Sequence, residues 1–136
     1  MKIVRVFLVF CVLMLSGLAW GSADVTGTWQ SQYDFGSVKE VMTADIQQVG
    51  ENLLGSFSVD VKGDADYSGI VFGTIDGNKI KAYYLSVKKM GNDDSLVEVT
   101  FTDGKLVNSN TIQGTAYYQD SDRNAVPGFD YKATRI

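Results

Sequence analysis

Apolar and polar residues alternate along most of this chain. In "VTGTWQSQY" the positions Val25, Gly27, Trp29, Ser31 and Tyr33 share one face, with Thr26, Thr28, Gln30 and Gln32 on the other. A period of two marks a half-buried strand, and helical spacing is hard to find anywhere after the first 23 residues. A second strand runs from about Lys39 to Val49 with Met42, Ala44 and Ile46 in phase, and "VGENLLG" reads as a tight connection. "LLGSFSVDV" follows with Gly55, Phe57, Val59 and Val61 in phase, and "KGDADYSG" reads as a loop. "IVFGTI" leads into Asp76-Gly77-Asn78, where Asp-Gly predicts a type I′ hairpin turn. "KIKAYYLSV" returns with Ile80, Ala82 and Tyr84 alternating against Lys79, Lys81 and Tyr83. "LVEVTF" is predicted to end at a second Asp-Gly, Asp103-Gly104. "NTIQGTAYYQ" forms the seventh strand, and "FDYKATRI" closes the chain with Phe129, Tyr131, Ala133 and Arg135 in one phase.

Short strands at regular intervals, separated by turn residues, predict an all-β fold. Sequential hairpins favour neighbours in sequence as neighbours in space. The expected architecture is therefore an antiparallel up-and-down barrel of about eight strands. Closure removes the sheet edges along which β proteins aggregate.

The first 23 residues break the pattern. Lys2 and Arg5 precede an apolar run from Val6 to Leu15, then small residues up to Ala23. This reads as a secretory signal peptide, residues 1–23, because a membrane span needs about 20 apolar residues. Cleavage after Gly21 and a retained anchor are the alternatives. Residues 24–136 then form one barrel domain of 113 residues, long enough for its own core. The chain is expected to be extracellular, periplasmic or on the cell surface, with no stable membrane insertion once the leader is gone.

Removing the leader changes the charge as well as the length. The formal charge of −4 for the whole chain becomes −6 without Lys2 and Arg5. An acidic surface of this kind argues against nucleic acid as a partner. The sole cysteine, Cys11, lies in the leader, so no disulfide framework is available and the core must carry the stability.

With the strands placed, Gly27-Thr28-Trp29 resembles the Gly-x-Trp signature of the calycin barrels, the lipocalin and avidin-like group. The resemblance implies that a cationic residue on the last strand packs over the tryptophan and closes one barrel end. The matching residue is Arg135, which stands in phase with Phe129, Tyr131 and Ala133. Gly27, Trp29 and Arg135 are thus the expected closure residues. In the avidin-like group, biotin-binding polar residues follow the motif and later tryptophans line the ligand. Here Gln30, Ser31 and Gln32 follow, and no tryptophan comes later, so biotin is not implied.

The predicted inward set is Met42, Ile46, Phe57, Val59, Val71, Ile80, Tyr84, Val99, Phe101, Ile112 and Tyr131. These residues either fill the barrel or line a ligand cavity, and sequence alone does not separate the two. Of the tyrosine pairs, Tyr83 and Tyr117 are assigned to the outer face.

No catalytic residue is assigned. With no histidine in the chain, neither a Ser-His nor a Cys-His pair exists. No acid is expected within an apolar strand face, and Glu98, between Val97 and Val99, is expected to face water. Asp120, Asp122 and Asn124 are spaced like the start of a calcium loop, but Ala125 replaces the required glycine and Tyr131 the terminal glutamate. These acids, like Asp60, Asp64 and Asp66, read as solvated loops, and no metal or cofactor is expected. The leading expectation is a non-catalytic binding module with a small, mostly apolar ligand in the barrel. The alternative is a filled barrel acting as an extracellular or cell-surface interaction or structural protein. A homo-oligomer fits either.

Overall fold

The computed structural model describes residues 23–63, 66–89, 95–120 and 122–136. The predicted signal peptide therefore lies outside the described residues, except for Ala23, as does Asp64. Eight strands follow one another: β1 (Gly27–Phe35), β2 (Val38–Val49), β3 (Asn52–Val61), β4 (Tyr67–Asp76), β5 (Lys79–Lys89), β6 (Ser95–Asn108), β7 (Thr111–Gln119) and β8 (Ala125–Arg135). Each pairs antiparallel with the next, and β8 returns to β1, so the sheet is a closed up-and-down barrel.

The alternation dictates which side chains enter. Val25, Ile75 and Val59 are almost wholly buried, together with Trp29, Phe57, Val71 and Ala82. Each large apolar side chain so buried contributes about 1.5–3 kcal/mol relative to exposure. The short β4–β5 connection has Gly77 at φ 59°, while Asn78 does not take a positive φ. The loop therefore lacks the second left-handed residue of the predicted type I′ turn.

One strand departs from expectation in both length and phase. Asp103-Gly104 is not a turn; β6 runs through it to Asn108. Asp103 pairs with Lys81, and Gly104 lies opposite both Ile80 and Gly114. Because Leu106 is buried, a period of two carries Gly104, Thr102, Thr100 and Glu98 to its side of the sheet. Val99 and Phe101, predicted inward, therefore point outward. Phe101 sits between Tyr83 (5.0 Å between ring centroids) and Tyr117 (5.7 Å), and Tyr83 stacks on Phe72 at 5.4 Å. This ring-to-ring row crosses the outside of β4 to β7. Cross-strand aromatic contacts and its neighbours' registers hold β6 in this phase against the simple apolar-inward rule.

The seam between β1 and β8 differs from the others. Its register covers only Trp29↔Arg135, Gln30↔Thr134 and Ser31↔Ala133. Around it, the Ile136 amide donates to the Thr28 carbonyl (3.0 Å), and Ser31 Oγ donates to the Lys132 carbonyl (2.9 Å). Past Ser31 the backbones part, and a stack of Tyr33 on Phe129, 4.4 Å between centroids, bridges the strands.

At the lower end of this seam the Arg135 guanidinium lies 4.5 Å over the Trp29 ring. Its nitrogens donate to the carbonyls of Thr26, Asp24 (2.8 Å) and Ser109 (3.1 Å). Trp29 Nε1 in turn donates to the Val25 carbonyl at 2.9 Å. Gly27 takes φ 136°, and a Cβ there would stand 3.0 Å from Arg135 Nη1. Only glycine both adopts that backbone and leaves the guanidinium its place. Arg135→Ala is expected to lower the unfolding free energy by about 2 kcal/mol, from the lost cation–π contact and charge-assisted hydrogen bonds. Arg135→Lys should recover only part of it, because an ammonium lacks the planar fork. Urea denaturation followed by circular dichroism measures both; an unchanged midpoint for the alanine variant would contradict this account of the barrel end.

Candidate functional site

The barrel interior changes character along its axis. The end holding Trp29 and Arg135 also holds Val25, Ile46, Leu53, Ile75, Ile80, Leu106 and Ile112, all buried and apolar. The strand starts and turns around it bring these residues together. Ala23, for example, donates its amide to the Gly77 carbonyl at 3.2 Å. The opposite end is lined by Tyr33, Phe35, Glu40, Tyr67, Ser86, Lys88, Glu98, Tyr118 and Phe129.

Between these ends lies a cavity of about 80 Å³, measured as the space open to the centre of a water-sized sphere. On that measure a single water needs about 10–15 Å³, so the space exceeds a one-water void several-fold. Of the predicted inward set, Met42, Ile46, Phe57, Val71, Ile80, Tyr84, Ile112 and Tyr131 line it, as does Trp29. Val59 is buried in the core without lining the cavity. Val99 and Phe101 do not contribute, and Thr100 and Thr102 stand in their place. Small residues make the room: Ala44, Ala82, Ala116 and Ala133 all face it. Phe57 meets Tyr84 edge-to-face at 5.3 Å and Tyr67 at 6.5 Å, and forms one wall.

One acid, Glu40, overturns the expectation that none enters an apolar face. Glu40 is in phase with Met42, Ala44 and Ile46 on β2 and is only 7% exposed. Its Oε2 accepts a hydrogen bond from the Tyr67 hydroxyl at 3.1 Å. Glu98 lines the open end of the cavity, where it is one-third exposed to solvent, and pairs with Lys88 at 2.7 Å. The Lys88 ammonium lies 4.2 Å over the Tyr67 ring. Among the described residues, no buried side-chain nitrogen or oxygen lacks a hydrogen-bond partner. Glu40 was legible from its phase with Met42; Glu98 was hidden by the misplaced phase of β6, and Lys88 by ending β5 at Val87, although it stands in phase with Ile80, Ala82 and Tyr84.

Four of the tyrosines that line the cavity are held neutral. Burial, then the nearby Tyr67 and Glu40, push the Tyr33 hydroxyl well above its ordinary range. Burial and Glu40 do the same for Tyr67, and burial and Tyr131 for Tyr84. Tyr131 is also raised, chiefly by burial.

The acidic loop before β8 closes on itself. The Asp120 carboxylate accepts the amides of Asp122 (2.9 Å) and Asn124 (2.8 Å). Asp66 likewise accepts the Val61 amide at 3.1 Å. Among the described residues no group of three acidic, histidine or cysteine side chains converges as a metal site.

No protein-family profile matches the chain, and no curated protein and no solved structure is significantly similar to it. The architecture is an up-and-down barrel of eight antiparallel strands closed on themselves.

The tyrosines give the fold a pH dependence with a definite sign. A hydroxyl with a folded pKa above its ordinary 10.0 contributes stability that is full below pH 10 and lost as pH rises beyond it. The urea midpoint is therefore expected to hold up to about pH 10 and to fall above it, with phenolate absorbance rising together with unfolding. Ionisation of all the tyrosines with an undisturbed circular dichroism spectrum would contradict their placement inside.

Proposed function

We propose that this chain is an exported, non-catalytic binding module that holds a small, mostly apolar molecule inside a calycin-like barrel. The supporting observation is the cavity itself: alanines open it, aromatic and aliphatic side chains wall it, and a few polar groups gather at one end. Apolar lining with a small number of converging polar groups is the usual character of a small-molecule site. Export rests on the predicted leader, and the acidic surface suits a soluble carrier.

The second reading, an extracellular interaction protein, has its own observation. Leu54, Ile70, Phe72, Tyr83, Val87 and Val97 stand exposed on β3 to β6, where the outer ring row also lies. A contiguous apolar surface of this kind marks contact surfaces more often than chance.

The interior separates the readings. Full-length protein from its native source, examined by native mass spectrometry, is expected to carry a bound small molecule. Isothermal titration with a panel of fatty alcohols, sterols and aromatic dyes is expected to show one site per chain. The binding heat should give a negative heat-capacity change, the mark of buried apolar surface. Absence of both a co-purifying species and any binding heat across the panel would sink the carrier reading.

A further inference from the structure

Glu40 is the one interior carboxylate without a cation. Among the described residues the only ion pair is Lys88–Glu98. The neutral hydroxyl of Tyr67 donates to Glu40, and that of Tyr33 adjoins both groups. A neutral donor eases the desolvation of a buried carboxylate but does not balance its charge. Of the charged side chains lining the cavity, Lys88 is matched by Glu98 at the half-exposed end, which leaves Glu40, with Asp66 and Lys89 on its outer side, as the buried carboxylate without an ion-pair partner among the described residues.

We propose that the cavity selects amphiphiles with a cationic head, an ammonium group on an apolar body, with the ammonium beside Glu40 and the body against Met42, Phe57, Val71 and Tyr84. This rests on the binding reading above and adds the charge of the ligand's head.

Lys88 shows what the site accommodates. Its ammonium occupies a carboxylate–aromatic niche, 2.7 Å from Glu98 and 4.2 Å over the Tyr67 ring. Glu40 offers an equivalent carboxylate, with the same Tyr67 within hydrogen-bond distance and Tyr33 beside it. Folding has already desolvated Glu40, so an incoming cation loses only its own hydration and gains a charge-assisted hydrogen bond and aromatic faces. A carboxylate head would instead meet like charge at short range in a medium of low dielectric. An alcohol head gains a hydrogen bond without the charge.

The test titrates the full-length protein with octylammonium, octanol and octanoate, which share one chain and differ in the head. Octylammonium is expected to bind about tenfold tighter than octanol, with octanoate weakest. Glu40→Gln should abolish the preference, bringing the octylammonium-to-octanol affinity ratio from about ten to about one. Lys88→Met removes the half-buried ammonium that pairs with Glu98, frees a second carboxylate at the cavity, and should tighten octylammonium further. Circular dichroism establishes that each variant is folded; if Glu40→Gln is not, the Lys88→Met result decides. Octanol binding as tightly as octylammonium overturns the cationic-head proposal and leaves the cavity reading standing. No binding of any of the three overturns both.

Discussion

The contact of Arg135 with Trp29 is the constraint on which the barrel depends. It joins the last strand to the first at the end where the backbone ladder is hydrogen-bonded. The same guanidinium binds carbonyls of the entering chain at Asp24 and Thr26 and of the β6–β7 turn at Ser109. Three separate parts of the chain thus converge on one planar cation. Closing a sheet from its two chain termini carries the largest loop-closure entropy in the fold, and this cluster offsets it where the seam is made.

With that end sealed, the interior has a direction. Its floor is apolar, its middle is opened by alanines, and its upper end carries Glu40, Tyr67, Tyr33, Lys88 and Glu98. Polar side chains are placed only where they find one another or approach solvent. An ion pair and a carboxylate–tyrosine contact cost less there than they would beside Trp29. An orienting polar end and an apolar body are what the barrel presents to anything entering it.

Much of this was legible from alternation. The inward faces of β1, β2, β3, β5 and β8 follow directly from period two, and the partnership of positions 29 and 135 follows from motif and phase together. β6 was not legible, for a definable reason. Asp-Gly is the strongest short turn signal, yet at Asp103-Gly104 it lies within a 14-residue strand, where Gly104 faces Gly114 and leaves space for the Tyr131 hydroxyl. An added Cβ at Gly104 would stand 2.5 Å from that oxygen. Once the strand was cut short there, Val99 and Phe101 looked like core and Glu98 like surface. The buried Leu106, beyond the false turn, was the residue that fixed the phase. The cavity itself had no sequence signal, because the same alanines and aromatics also fill solid cores.

The upper half of the β1–β8 seam has a consequence for how the wall is held. Elsewhere around the barrel, separating two strands breaks a row of backbone hydrogen bonds. Beyond Ser31 and Ala133 the wall is instead the stacked pair Tyr33 and Phe129, both of which line the cavity. Such a ring pair contributes about 0.5–1.5 kcal/mol beyond its buried area. That stretch of the wall is therefore held by side-chain packing, with Phe35 against Tyr118 beside it, where the rest of the barrel is held by backbone hydrogen bonds.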